Sequence, residues 1–191
     1  MADVDLRDLN AQSVGELDAD MWRSYYNHEF FKLFVQLLRL IKLQLGLNWF
    51  LTIRLAYYAA WAAADYRIRK HKGVNNARVL RNLSKFYRLI ARHSAEPFDY
   101  ERVAKLELEW WDVHRKSYKN NPKLERALAE AAAALYNVDA ARLKEYAHYR
   151  AEAMILPRHE GDDSSNQTDW AKVTELTVKA WQVLCLVIQD N

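Results

Sequence analysis

Cysteine, glycine and proline are all scarce in this chain, and each scarcity removes a class of structure. Cys185 is the single cysteine among 191 residues, so neither an intramolecular disulfide nor a cysteine-based metal cluster can form. A reducing, cytoplasmic setting suits it. Only 4 glycines and 3 prolines punctuate the chain. Many short strands joined by turns would need more, whereas long helices with brief connections do not. Period-two alternation, fixed-length repeats and low-complexity tracts are missing too. No signal peptide is visible: Met1 to Asp20 carries Asp3, Asp5, Asp8, Glu16, Asp18 and Asp20 and no long apolar run. The nearest approach to a membrane span, Leu43 to Ala64, contains Arg54, is broken by Gly46 and Asn48, and is rich in alanine and tyrosine. A buried central helix explains it better than a lipid-embedded one.

What is present is apolar and periodic. With 51% hydrophobic residues the chain is too apolar for disorder, and its length suits a single domain. Seven helical segments are expected. The first runs from Asp20 to Leu45, where Trp22, Tyr26, Phe30, Leu33, Phe34, Leu37, Leu40 and Ile41 recur at three- and four-residue steps. Gly46 ends it, and Ser13 with Glu16 forms a candidate capping box upstream. The second, Asn48 to His71, is apolar almost all round and belongs at the centre of a bundle; Gly73 closes it. The third spans Asn75 to Ala91, and the fourth Phe98 to Tyr118, after Pro97. Asn121 and Pro122 open the fifth, Asp139 caps the sixth and Thr168 the last. The predicted fold is an all-α, single-domain bundle of six or seven helices over residues 20–191, with a flexible acidic arm over 1–19. Trp22, Phe30, Phe34, Trp49, Trp170 and Trp181 fall at core spacing, and Cys185 reads as buried and inert.

Several ionisable residues occupy positions on the apolar faces. Glu107 and His114, in the run Glu107-Leu108-Glu109-Trp110-Trp111-Asp112-Val113-His114-Arg115, are seven apart and so nearly superposed on a helix. Arg150 sits near the centre of the arc made by Leu143, Tyr146, Ala147, Ala153 and Met154. On the second helix Arg54, Tyr58, Trp61 and Asp65 share one narrow strip. Charges seldom go inside without partners. One reading is mutual pairing that fixes helix register and adds little net stability. The leading functional reading is a pocket walled by Trp110, Trp111, Tyr57, Tyr58 and Trp61, in which Arg54 and Arg150 hold a small anionic or amphipathic ligand beside Glu107, His114 and Asp65. A third is acid–base catalysis by Glu107 and His114. It lacks a nucleophile, an oxyanion donor and a substrate class.

Metal and cofactor motifs give little. Glu145 and His148 have the Glu-x-x-His spacing of a di-iron bundle but point away from the apolar arc, and the required second copy is missing. The run Arg158-His159-Glu160-Gly161-Asp162-Asp163 does not follow the order of a calcium loop. No cofactor is indicated. Charge is unevenly spread: from Arg67 to Arg92 there are nine Lys/Arg and no acid, while the rest of the chain carries nineteen basic and twenty-five acidic residues. On the third helix Arg78, Arg81, Lys85, Arg88 and Arg92 form one cationic stripe. Stacked like charges repel. That stripe is either a solvated face or the docking surface of an acidic protein partner, with a nucleic-acid backbone disfavoured by the low overall charge. Nothing in the sequence fixes the oligomeric state.

Overall fold

The structure, a computed structural model, describes residues 4–72, 76–117, 122–158 and 168–190. The fold is an all-α bundle. Its helices are α1 (Ala11–Tyr26), α2 (Phe30–Leu45), α3 (Trp49–Lys72), α4 (Asn76–Ala91), α5 (Tyr100–Lys116), α6 (Pro122–Tyr136), α7 (Lys144–Ile155) and α8 (Trp170–Gln189). Short 3-10 turns precede and follow α7. Each helix packs on its sequence neighbours, and α8 returns against α1, so the principal contacts form a closed ring.

Local chemistry sets the helix ends. Asn10, Asp99 and Asp169 cap α1, α5 and α8 by accepting backbone N–H groups of the first turn. Asn48 accepts from Leu51 N at 3.0 Å at the start of α3. Gly46 closes α2 in the left-handed region at φ +59°. Asp139 accepts from Ala141 N as expected, although the turn it opens is 3-10 before it becomes α7. Two expectations on ends are corrected. Asn10, not a Ser13–Glu16 box, caps α1, and Ser13 supplies the donor N–H. Asp169, one residue beyond Thr168, caps α8. Asn121, Gly73 and the 159–167 run lie outside the described residues.

The expected first helix is two helices. The chain breaks at Asn27–Glu29, where His28 takes φ +58°, and Ser24 Oγ donates to Glu29 across the turn at 3.2 Å. Neither glycine nor proline marks this turn, and the apolar spacing runs through it. The boundary expected after residue 19 falls inside α1, whose Val14, Asp18 and Ala19 are buried. Ahead of α1, Val4 is pinned to the α4–α5 connection: its N–H donates to His93 O, and its carbonyl accepts from Ala95 N at 2.8 Å.

Apolar burial is organised in two clusters. One joins α1, α6, α7 and α8 around Val14, Leu124, Leu143, Met154 and Leu184. The other joins α2 to α5 around Ile41, Leu55, Val79, Leu83 and Val103. Gly15 lets α1 approach α8 so closely that a Cβ there would stand 2.6 Å from Val178 Cα. The long helix is not central. α3 buries Leu51, Leu55, Ala56 and Ala62 but exposes Trp49, Phe50, Ile53, Tyr57 and Trp61. Its lack of a polar face arises because both faces are apolar, and only one is covered.

Candidate functional site

Helix α5 runs between the two apolar clusters, and Glu107 sits where they meet. Trp110 packs against the first cluster and Trp111 against the second. Being three and four residues past Glu107, both indoles turn back towards its carboxylate. Trp110 Nε1 donates to one oxygen at 2.7 Å and Trp111 Nε1 to the other at 2.9 Å. The Tyr87 hydroxyl of α4 also favours the charged form of this carboxylate. Burial raises the Glu107 pKa, and these three groups with the Arg150 charge offset that only in part.

Arg150 of α7 answers a different acid. Its guanidinium forms a short ion pair with Asp18 of α1, and the same carboxylate oxygen accepts from Trp181 Nε1 of α8 at 2.9 Å. Burial works against the Arg150 charge, but Asp18, Tyr146 and Glu107 together offset it and hold the guanidinium's pKa above its ordinary value. Around these groups stand three buried phenols. Tyr146 is pushed up to about 12 by burial, and Tyr87 and Tyr136 are raised for the same reason. The phenols therefore stay neutral at physiological pH. His114 closes the arrangement: its Nε2 lies 3.2 Å from Met154 O of α7, and its ring meets Trp22 edge-on at 5.6 Å and Trp110 at 6.4 Å. Opposite a carbonyl, Nε2 is the protonated nitrogen.

This interior is self-satisfied. Among buried side-chain polar atoms of the described residues, only Gln36 Oε1, on α2, finds no partner. Two grooves, of about 310 and 610 Å³, lie elsewhere: one over Lys105, Glu109, Asp112 and Lys116 of α5, the other between Phe98–Arg102 and Glu130–Ala140. Neither reaches Glu107, His114 or Arg150. Among the described residues no group of three or more His, Cys, Asp or Glu could hold a metal ion. Glu145 and His148 are exposed, and His148 Nδ1 faces Glu125 at 3.0 Å.

Glu107, Trp111 and Arg150 thus lie near one another at half-buried positions, while His114 stands two turns further along α5 against Met154 and Trp22. The strip on α3 does not join them. Asp65 is buried, but against Asn82 at 3.1 Å and Arg78 at 3.3 Å, both from α4. Arg54 is exposed, with its guanidinium 5.7 Å from the Phe50 ring centroid. Tyr58 is half-buried and Trp61 exposed. The strip runs along the edge of α3's buried face; α4 covers it at Asp65 and leaves it open at Arg54. Asp18, Tyr87, Tyr146 and Trp181 belong to the interior network although the pocket reading omitted them. The spacing Val14–Asp18–Trp22 was the available signal for Asp18, since it places the carboxylate on the apolar line of α1.

The basic stripe is real and outward. Arg81, Lys85, Arg88 and Arg92 are exposed, and among the described residues none has an acidic side chain within ion-pair distance. Among the described residues Arg78 is the one cation of the stripe in an ion pair, with Asp65. Beside this stripe runs the exposed α3 ridge, on which Trp49 is 59% and Phe50 69% accessible. Trp49 and Phe30, expected in the core, are thus corrected to the surface. The two stripes touch where Lys85 Nζ stands 5.7 Å from the Tyr58 ring centroid.

No family model, curated protein or solved structure matches this chain. No helix among the described residues is long and apolar enough to cross a membrane. The functional reading therefore rests on the chemistry of these two regions, one inside and one on the outer face.

Proposed function

We propose that this chain is an interaction module, and that its function lies on the α3–α4 face, where it docks an anionic partner. The observation that carries this reading is the run Arg81, Lys85, Arg88 and Arg92: four exposed cations that no acid among the described residues neutralises. Like charges at helical spacing cost a few tenths of a kcal/mol per pair. That cost is offset when an external anion arrives. The interior supports the complementary half of the argument. Its carboxylates, guanidinium and indoles are occupied with one another, which favours a role in holding the helices in register over the binding of a small anionic ligand. The reducing environment that a lone, buried Cys185 suits makes the cytoplasm the proposed setting.

The test titrates the protein with a labelled polyglutamate peptide, a single-stranded oligonucleotide and phosphatidylserine vesicles, each at low and at physiological salt. Binding to at least one probe should weaken with salt, because screening shortens the reach of exposed charges. The triple variant Arg81→Glu, Lys85→Glu and Arg88→Glu should weaken it by at least about tenfold, equivalent to about 1.4 kcal/mol. If no probe binds, or if binding ignores both salt and the charge reversals, this reading is wrong.

A further inference from the structure

The chemistry of the α3–α4 face narrows the partner. In the sequence from Phe30 to Ala95, which spans α2, α3 and α4, there are thirteen Lys/Arg and one acid. That acid, Asp65, is buried and paired with Arg78. The exposed charged side chains that α2, α3 and α4 contribute are therefore cations, of which Lys32 is paired with Glu29 ahead of α2. Along α3 runs the ridge of Trp49, Phe50, Ile53, Tyr57 and Trp61, all exposed, the last four spaced by about one helical turn. At 1.5 Å per residue the ridge is about 18 Å long.

Cations flank the ridge on both sides. From α2, Lys42 Nζ lies 5.8 Å from the Trp49 ring centroid, and Phe30 of α2 receives Arg67 of α3 at 4.9 Å. On the opposite flank Lys85 of α4 reaches Tyr58. Within the ridge Arg54 lies over Phe50. We infer that this face seats on an anionic phospholipid bilayer, with the α3 ridge sunk to the level of the headgroups and the flanking cations on lipid phosphates and carboxylates. The inference rests on the proposed anionic docking and specifies its partner.

Five considerations favour a bilayer over other partners. Tryptophan and tyrosine with lysine and arginine are the residues that hold a helix in the plane of a membrane interface. Single-stranded nucleic acid would need open ring faces for base stacking. Here the faces of Trp49 and Phe50 are approached by Lys42 and Arg54, and Ile53 offers no ring. A partner helix would seek a groove, but α3 presents a ridge, and neither of the grooves on α5 and between α5 and α6 touches it. A second copy of this chain, ridge on ridge, would bring like charges together on both flanks. The lipid surface also matches the electrostatics, because juxtaposed basic residues gain from its negative potential within a Debye length.

The experiment measures co-sedimentation of the full chain with vesicles of phosphatidylcholine alone and of phosphatidylcholine with one-third phosphatidylserine, alongside the polyglutamate and oligonucleotide titrations. The variant pair is Phe50→Ala with Ile53→Ala. Both side chains are exposed, so the melting temperature should match wild type and certify the fold. The protein should bind the mixed vesicles and not the neutral ones. The alanine pair should lower the vesicle partition coefficient at least tenfold while leaving weak polyanion binding unchanged. Binding to polyglutamate or oligonucleotide without vesicle binding would overturn the lipid assignment and leave the anionic-docking reading standing. Vesicle binding that the alanine pair does not alter would also overturn it, since charge alone would then explain the association. A concentration-dependent dimer, lost in the alanine pair and indifferent to vesicles, would reassign the ridge to contact between copies.

Discussion

Replacing Asp18 by asparagine tests whether the interior network is a set of matched charges or a loose polar cluster. The substitution keeps the size and one acceptor oxygen but deletes the counter-charge of Arg150, whose side chain is 13% exposed. Removing one partner of a buried pair costs about 3–5 kcal/mol, because the remaining charge is stranded in a poorly solvated site. Two features move the expectation to the lower end. Arg150 still feels the Glu107 charge, and the asparagine oxygen can still accept from Trp181. We therefore expect a loss of about 3 kcal/mol, which for a chain of this size lowers the melting temperature by about 6–12 °C. Urea unfolding followed by far-UV circular dichroism measures it. The decisive arm is the double variant Asp18→Asn with Arg150→Met. With the cation gone, nothing is stranded, and the double variant should be more stable than Asp18→Asn by about 1–2 kcal/mol. A single-variant cost under about 1 kcal/mol, or two costs that simply add, would refute the reasoning.

Two further outcomes follow from particular contacts. Burial raises the Glu107 pKa above its unfolded value, so the folded state binds the proton more tightly and wild-type stability falls as pH rises from the ordinary carboxylate range through the raised folded-state value. Glu107→Gln lacks that slope: urea unfolding at a series of pH values should show wild type most favoured over the variant at acid pH, with the gap shifting towards the variant as pH rises. A constant gap would refute the assignment. Gly15→Ala would place a methyl group 2.6 Å from Val178 Cα, forcing α1 away from α8. Thermal unfolding should report a loss of about 1–3 kcal/mol, and a variant as stable as wild type would show that the two helices can separate freely.

Much of this architecture was legible, for identifiable reasons. Helical period, scarce glycine and the capping residues Asp139 and Pro122 carry local information, and local information survives in a string. Gly46 could be read as a stop because only a residue tolerant of positive φ suits that position. The turn at Asn27–Glu29 could not, because His28 takes the same conformation without glycine's signature and the apolar spacing continues across it. The fate of α3 was illegible for a different reason. A helix with two apolar faces gives no polarity contrast, so the side left open depends on which helices arrive beside it. Arg54 and Asp65 show this directly: they share a line on α3, yet only Asp65 lies under α4. In the interior, Glu107, His114 and Arg150 could be found by asking which charges sit on apolar arcs. Asp18 was hidden among Glu16 and Asp20, where composition suggested solvent and only its register with Val14 and Trp22 suggested otherwise.

The return of α8 onto α1 has a consequence for how the molecule assembles. Trp181 and Asp18, which share a hydrogen bond, are 163 positions apart, whereas the remaining principal helix contacts join neighbours in the chain. Seven of the eight helix pairings can thus zip up as successive hairpins, each closing a small loop. The eighth must gather the two extremes of the described chain, a slower and entropically dearer event. Until it occurs, α2 is the only principal helix partner of α1, so the seam between first and last helices is where the finished protein should unlatch first.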